Sequence, residues 1–492
     1  FFMKFTWKWL LDHLETDKNL SEILETLPKL GLEVASVVNL AEDLKSFISV
    51  EIIDVKKHPN ADKLNVCKVF DGKNTYDVVC GAPNVKLGMK SVFANIGTFI
   101  PGLNLKLKKG KIRGEESFGM LCSEKELTLS ENHNGIIELE ASSELGLSIS
   151  DVMDLNDPII EIEITPNRGD CLGVRGVARD LAAAGMGNLR DLDIIFSEGE
   201  FDSIINWHVD LDENEKYLCP KIFGRSFTNL KNDESPLWLK NRLIAVDQRP
   251  ISSIVDITNY IMIDIGRPLH AYDIDKIKGT TLKISKSKKG DKFSALNGNT
   301  YELDDNMLVI SDEQSVDDLA GIMGGERTGV TENTTRMFLE AAIFDPVSIA
   351  NTGRKLNLNS DARYRFERGL DYNSPETVMH YAAAMFNKIC GGKFSKIVNF
   401  KLEQKNKIIK FDPNIIYQLT GVKIENELSK SILEKLGFKI LSLDDIWDIT
   451  PPSWRPDIDG IADIVEEIIR INGYDKIPSI KLPRNNYIAK PA

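Results

Sequence analysis

Between Arg249 and Asp273 the chain reads RPISSIVDITNYIMIDIGRPLHAYD, an apolar run with Asn259 and Tyr260 set inside it and a Pro268-Leu-His270 turn at its end. Ile251, Ile254, Val255 and Ile257 open the run. Such a segment must be covered by other parts of the chain, and any amide or imidazole buried with it needs a partner. Taken alone, Asn259 and His270 read as satisfied core residues, the commoner fate of such groups. Three later stretches add chemistry. Gly321-Ile-Met-Gly-Gly325 can bring backbone N–H groups close to a ligand, Leu339-Glu340-Ala341-Ala342 sets a carboxylate among small apolar neighbours, and Ser360 to Gly369 packs charges around Tyr364 and Phe366. Together the four stretches describe a pocket.

A chain of 492 residues is too long to share one core and divides into several domains of ~100 to 200 residues. Along it, Asn19 with Glu22 three positions later reads as a capped helix through Leu20, Ile23, Leu24 and Leu27, stopped at Gly31 and followed by a strand from Glu33 to Val38. This unit is too small to stand alone. It is expected to join residues about 150–205, which hold a helix from Val174 to Ala184, as one discontinuous domain over 1–40 and 150–205. The intervening 41–149 reads as a small β-barrel, from the strand-like runs FISVEII, LNVCKVF, TYDVVCG and KSVFANIG separated by turn residues. Residues 206–400 are expected to form a mixed α/β domain around the pocket, and 401–480 a small α+β domain, giving a multidomain α+β protein overall.

Charge narrows the partners. A net charge of −13 argues against a general nucleic-acid binder, because phosphate affinity comes from clustered cations. One stretch departs from this: from Val78 to Gly114 there is no acidic residue, while Lys86, Lys90, Lys106, Lys108, Lys109, Lys111 and Arg113 supply seven cations. The island is either a nucleic-acid surface or a solvated loop. The opening FFMKFTWKWLLDHL is broken by Lys4, Lys8 and Asp12 and is neither a signal segment nor an anchor. No apolar run approaches a membrane span, so the cytoplasm is the expected compartment. Six cysteines without a Cys-x-x-Cys pair exclude a disulfide framework and the usual zinc spacing.

Taken together, the pocket stretches resemble the editing site of the β subunit of bacterial phenylalanyl-tRNA synthetase, a family that hydrolyses tyrosine mistakenly attached to the phenylalanine tRNA. The resemblance implies that Arg249, Asn259, His270, Gly324, Glu340, Ser360 and Ala362 line that site. It also implies ATP-dependent charging of tRNA(Phe) together with an α subunit in an α2β2 assembly. His58-Pro-Asn-Ala-Asp-Lys-Leu64 is similar to the opening of tRNA-binding OB-fold domains, which makes the 41–149 barrel an OB-fold tRNA-binding domain and 206–400 the editing domain. Residues 401–480 resemble the family's small B5-like domain. By the same resemblance Asp457, Asp463, Glu466 and Glu467 hold a Mg²⁺ shared with the α subunit, oxygen ligands suiting a hard cation; read without it, the helix that follows carries a solvated acidic face opposite Ile461, Ile464, Val465, Ile468 and Ile471. Family members begin at the position of Met3 and continue well past residue 492, so 481–492 is expected to open a further part.

Glu340 is the acceptor expected to read the tyrosine hydroxyl; otherwise it is a structural carboxylate paired with Arg249 or Arg365. The general base stays open between His270 and a hydroxyl of the tRNA itself. One departure bears on activity: where the family reads Thr-Glu-Ala-Ser, this chain has Ser360-Asp361-Ala362-Arg363. Arg363 replaces a small residue, which leaves a non-catalytic tRNA-binding scaffold with a decayed pocket as the alternative.

Overall fold

The computed structural model describes residues 2–130, 132–194, 196–404, 407–443 and 445–481, so the further part expected at 481–492 lies outside the described residues but for its first position. At the start, local chemistry acts as the sequence suggests. Asn19 accepts from the Glu22 amide at 3.1 Å and the Glu22 carboxylate accepts from the Asn19 amide at 3.0 Å, which fixes the first turn of the helix Leu20–Thr26. Gly31, at φ +81°, ends the short 3-10 turn behind it. The strands Phe2–Thr6 and Glu33–Val38 do not pair with each other; both flank Ile159–Glu163 in an antiparallel sheet. The two ends of the segment around residues 41–149 therefore meet in one layer.

In that intervening segment the strands run Gly119–Leu121, Lys90–Asn95, Phe47–Lys57, Asn65–Phe70 and Thr75–Cys80 across one five-stranded sheet. Beside one edge strand, the Phe118 amide bonds Asp77 O on the other edge at 2.9 Å, so the sheet curls until it is nearly a closed barrel. Val50, Ile52, Cys67, Val69, Val78 and Phe93 fill its interior.

Two sheets meet in the central region. One orders the strands His270–Asp273, Met337–Ile343 and Lys221–Thr228, with Lys393–Phe394 and Val398–Lys401 on the far side. The other orders Asn206–Val209, Thr281–Lys286, Leu308–Ser311, Val316–Leu319 and Met323–Gly324, its first pair parallel and the rest antiparallel. Every residue of Met337–Ile343 is buried, and the strand's two-residue period splits it between cores. Met337, Leu339 and Ala341 join a core shared with Trp9, Leu181, Ile257 and Phe386, while Phe338 and Ala342 face Ile284, Ile310 and Leu319. Glu340 falls on the second face, between the sheets.

The apolar run that dominates the sequence is the helix Ser253–Ile265, ended by Gly266 at φ +72°. Ile251 precedes it and is 65% exposed, unlike the rest of the run's opening. Its polar residues tie the helix to the N-terminal segment: Tyr260 stacks on Trp9 at 4.7 Å, and Asp264 accepts from Trp9 Nε1 at 2.6 Å and from the Tyr381 hydroxyl at 2.7 Å, with His13 Nε2 also 2.6 Å away.

Past residue 401 the helices Asn414–Thr420, Asn426–Lys435 and Ile461–Asn472 pack on the strands Lys439–Leu443, Ile446–Thr450 and Ile409–Phe411, the last of which the sequence pattern does not suggest. In the final helix Ile464, Val465, Ile468 and Ile469 point inward, but Ile461 is 40% exposed and Glu467 only 2%. The acidic face is thus not wholly solvated, because Arg455 and Arg470 draw Glu467 into the interior. All six cysteines are buried with free thiols. Among the described residues no helix is long and apolar enough to cross a membrane.

Candidate functional site

His270 and Glu340 are direct cross-strand neighbours in the first sheet, which places both side chains on the face turned toward the second sheet. From the second sheet, Gly324 comes so close to the imidazole that a Cβ there would stand 2.2 Å from His270 Cε1. A side chain at 324 and a histidine at 270 cannot coexist in this arrangement. Two further residues complete the cluster. Tyr272, two positions after His270 and on the same face, sets its hydroxyl 2.8 Å from Glu340 Oε2 and 3.2 Å from Asp318 Oδ2. His270 Nε2 lies 3.6 Å from Asp318 Oδ2, beyond a hydrogen bond, and is sealed from solvent without a partner although a fifth of the side chain (20%) is exposed.

Burial decides the electrostatics. It pushes His270 down to about 4, so the ring is neutral at physiological pH and one nitrogen is free to accept. Burial also raises the carboxyls of Glu340 and Asp318, opposed at Glu340 by the Tyr272 hydroxyl and the nearby Arg267 guanidinium, and reinforced at Asp318 by the charge of Glu340. Arg327 pairs with Asp312 and Asp317, and no Lys or Arg among the described residues pairs with Asp318. Arg267 is 1% exposed, donates to Ala342 O, and leaves its Nε and Nη1 without partners. Unmatched buried polar groups of this kind make the cluster a candidate functional site.

The other residues singled out from sequence join this cluster to different degrees. Ser360 caps the helix Asp361–Arg368, accepting from the Arg363 amide at 3.0 Å, and donates to Ile322 O at 2.7 Å. Its hydroxyl thus ties that helix to the glycine loop. Within the loop, the Gly325 amide bonds Asp317 O at 2.7 Å and the Ile322 amide Leu319 O at 2.8 Å, so these N–H groups are occupied by the turn itself. Ala362 follows on the helix, half-buried. Arg363 turns aside: it is buried against Leu358 O, Asn359 and Glu367, over Gly353, where any Cβ would strike its Nε at 2.1 Å. Arg249 is exposed and Asn259 half-buried on its helix; no hydrogen bond among the described residues joins either to Glu340. Neither Arg249 nor Arg365 pairs with Glu340, since Arg365 bonds Leu172 O and Asp361. Tyr272 and Asp318 are not apparent from sequence. A signal existed in each case, a phenol at the two-residue period from His270 and an Asp317-Asp318 pair inside an otherwise apolar strand. A separate cavity of about 100 Å³, lined by Thr6, Met153, Trp238 and Arg242, includes no residue of this cluster.

Three of the four carboxylates of the expected Mg²⁺ site are engaged by other groups of the chain. Arg455 holds both oxygens of Asp457 at 2.8 and 2.7 Å. Glu467 is clasped by Arg455 and Arg470, and Asp463 accepts from the amides of Asp459 and Gly460 at 2.7 and 2.8 Å. Only Glu466 is exposed. Among the described residues, three potential ligand atoms do lie within 4.8 Å of one another at Asp170, Cys171 and Asp180. There the guanidinium of Arg168 bonds all three and supplies the positive charge that a metal would.

In the near-barrel segment, His58 is buried and holds a hairpin rather than a ligand. Its Nδ1 accepts from the Asn60 amide at 3.0 Å, which leaves Nε2–H to donate to Ile112 O at 2.9 Å, and Asn60 Nδ2 bonds Arg113 O at 3.1 Å. The motif thereby pins the hairpin Gly110–Ser117, which carries Lys111 and Arg113. Of the seven cations, Lys86 pairs with Glu138 and Lys109 with Glu116, and Lys90 bonds Ala141 O and Ser143 O. Lys106, Lys108, Lys111 and Arg113 are exposed and make no ion pair among the described residues.

Comparison with known proteins agrees with this organisation. Residues 47–148 match a family described as a putative tRNA binding domain, 218–391 a B3/4 domain, and 409–474 a tRNA synthetase B5 domain. The three matches fall in one chain, on the near-barrel, the two-sheet region and the segment past residue 401. The chain is 47% identical over 483 residues to the phenylalanine–tRNA ligase beta subunit of Paramagnetospirillum magneticum, and 46% identical over 483 residues to that of Bartonella quintana, covering 98% of this chain in each case. It is a homologue of the bacterial phenylalanyl-tRNA synthetase β subunit and spans about 60% of the length of these relatives. Among solved structures, an N-terminal fragment of the β subunit from Pyrococcus horikoshii has a TM-score of 0.35 at 18% identity, over 65% of this chain and 88% of that one, a likeness too loose to carry detail.

Proposed function

We propose that this chain works within phenylalanine–tRNA ligase, where an α subunit, in an α2β2 assembly in the cytoplasm, carries out ATP-dependent charging of tRNA(Phe). This part supplies tRNA contacts and the hydrolysis of Tyr-tRNA(Phe). In this reading the near-barrel is an OB-fold within 41–149, the two-sheet region of 206–400 is the editing domain, 401–480 is a B5-like domain, and 1–40 with 150–205 forms the domain that joins them. His270, Gly324 and Glu340 line the editing pocket, with Ser360 and Ala362 on its helix wall and Arg249 and Asn259 at its edge. The Mg²⁺ quartet contributes only if Arg455 releases Asp457 and Glu467.

One observation carries the editing assignment. Glu340 is a buried carboxylate that already accepts a phenol, that of Tyr272, at 2.8 Å, and no group among the described residues donates to its other oxygen. Tyrosine differs from phenylalanine by one hydroxyl. An apolar slot rejects an added hydroxyl by only about a hundredfold, whereas a site built around a hydrogen bond reaches on the order of 10⁴ to 10⁵. Phenylalanine would leave the acceptor unpaired, and tyrosine would satisfy it. Arg363, the residue that favoured a decayed scaffold, is bonded away from the cluster. The test is deacylation of Tyr-tRNA(Phe) and Phe-tRNA(Phe) by the assembled α–β enzyme carrying Glu340→Ala. Loss of most Tyr-tRNA hydrolysis with phenylalanine charging intact is expected; an unchanged preference for Tyr over Phe removes Glu340 from the role.

A further inference from the structure

Three oxygens are joined in the cluster: the Tyr272 hydroxyl lies 3.2 Å from Asp318 Oδ2 and 2.8 Å from Glu340 Oε2. A phenol has one proton. It can donate to one carboxyl, and the second contact then holds two oxygens together with no hydrogen between them unless the carboxyl brings its own. Asp318 and Tyr272 are 5% or less exposed, so water does not relieve that contact, and two ionised carboxylates flanking one phenol in such a place repel strongly. Proton counting therefore requires one carboxylic acid in the array.

The surroundings say which one. Arg267, fully buried with two unpartnered nitrogens, lies close enough to Glu340 to favour its anion. Asp318 has no such cation: Arg327 is engaged by Asp312 and Asp317, and His270 Nε2 stands off at 3.6 Å. Of the two contacts, the shorter, 2.8 Å against 3.2 Å, runs from Tyr272 to Glu340, which places the phenol's one proton on that side.

Resting on the editing function proposed above, we infer that Asp318 and Tyr272 are positioning residues that relay a hydrogen-bond chain, acid to phenol to carboxylate, onto Glu340. The Asp318 hydroxyl donates to the Tyr272 oxygen, and the Tyr272 hydroxyl donates to Glu340 Oε2. Glu340 is thereby held as the one anion of the array, in a fixed rotamer, with Oε1 left to accept the phenol of a mischarged tyrosine. The internal phenol takes one oxygen so that the substrate's phenol is directed to the other. Selectivity then depends on two residues that need not touch the substrate.

The assembled α–β enzyme at about pH 8 tests this, with three variants followed by the ratio of Tyr-tRNA(Phe) to Phe-tRNA(Phe) deacylation. Asp318→Asn keeps a neutral donor opposite Tyr272 and should hold the ratio within about threefold of the parent, whereas Asp318→Ala and Tyr272→Phe should lower it about tenfold or more. Phenylalanine charging and the melting temperature report whether each variant folds. A merely structural Asp318 would not distinguish Asn from Ala by the substrate ratio, and an ionised Asp318 acting as a base would make Asp318→Asn as inactive as Asp318→Ala; either result overturns the relay, as does an unchanged ratio in Tyr272→Phe. A second measurement separates failure of the relay from failure of the editing function. The infrared band of a protonated carboxyl should be present in the parent at about pH 8, vanish in Asp318→Asn and persist in Glu340→Gln, whether or not the parent hydrolyses Tyr-tRNA(Phe). If the band is absent from the parent, or vanishes in Glu340→Gln instead, the proton is not where the relay requires it.

Discussion

Two buried sets of charges in this molecule are arranged in opposite ways. In the first, seven side chains alternate in sign: Asp170, Arg168, Asp180, Arg470, Glu467, Arg455 and Asp457 follow one another at separations of 2.9, 2.8, 2.7, 2.7, 2.5 and 2.7 Å. The link between Asp180 and Arg470 joins residues 290 apart in sequence. Each acid meets an arginine, Glu467 is held down to about 2 by Arg470 and Arg455 despite burial, and Asp170 is likewise lowered by Arg168. In the second set, Glu340 and Asp318 share one phenol, only Glu340 has an arginine nearby, and both are pushed up instead. A closed network has no group left to bind anything, and its worth lies in fixing how its segments dock. An open one is costly to bury and leaves acceptors for a ligand. The closed network takes up two of the carboxylates expected to hold Mg²⁺, Asp457 and Glu467, through the guanidinium groups of Arg455 and Arg470.

Breaking each set should therefore give unequal results. Arg470→Ala leaves Asp180 and Glu467 buried with half their partners, which should cost about 3 to 5 kcal/mol in the urea unfolding transition of the region containing the final helix. Glu340→Gln removes a poorly compensated charge of similar burial and should change stability by less than about 1 kcal/mol, or raise it. Equal losses would erase the distinction between the two sets.

Acid titration sharpens the same comparison. Glu340 is raised from its ordinary 4.5 to about 7, so between those values the folded chain binds more protons than the unfolded one, and stability rises as pH falls from about 7 to 4.5. Glu467 is depressed from 4.5 to about 2; its contribution is present above 4.5 and is lost as pH falls through about 2. Urea midpoints measured across this range should pass through a maximum, with Glu340→Gln making the neutral limb shallower, Asp318 supplying what remains of it, and leaving the acid limb. If Glu340→Gln leaves the neutral limb unchanged, Glu340 is not the group that is raised.

How much of this is legible in the sequence depends on distance along the chain. The Asn19–Glu22 cap, the Gly31 stop and the strands between Phe47 and Asn95 are written within a few residues, by capping chemistry and two-residue alternation, and they form as read. Glu467 reads as part of a solvated face because nothing near it in sequence announces that Arg455 and, across the network, Asp180 will surround it. Tyr272 and Asp318 are hidden for the same reason, since their meaning arises where two sheets meet. Arg363 looks disruptive in the sequence, yet the space that takes it is made by Gly353 on another helix. Local patterns reveal elements, whereas the partners of a buried charge come from elsewhere in the chain.

The exposed cations offer a smaller effect, confined to a surface. Changing Lys106, Lys108, Lys111 and Arg113 together to Ala removes the island's charges that make no ion pair among the described residues, and should reduce the salt slope of tRNA binding by up to about 1 for each phosphate that is no longer neutralised. Fold and deacylation of bound substrate should be unaffected. An unchanged affinity and slope would make the island a solvated loop.

His58 supplies the smallest and most local test, because it is a buried polar group of a third kind, neutral and fully satisfied. The amide of Asn60 donates to Nδ1, so the proton sits on Nε2 and is given to Ile112 O. No charge is at stake, and no nitrogen is left for a ligand. His58→Ala should therefore cost about 1 kcal/mol for each hydrogen bond removed, and the effect should be felt in the hairpin Gly110–Ser117 rather than in the whole chain. Amide hydrogen exchange reads this directly: faster exchange at 110–117 with the rest of the near-barrel unchanged is expected. In tRNA binding, the variant should weaken affinity less than removal of the four cations does, since the charges remain and only their presentation loosens. If exchange at 110–117 stays at the parent rate, the hairpin is held by its own strand pairing and the His58 motif has some other use. If exchange instead quickens across the whole sheet, His58 belongs with the closed network as a docking element, and the line between groups that fix structure and groups that position a binding surface has to be drawn elsewhere.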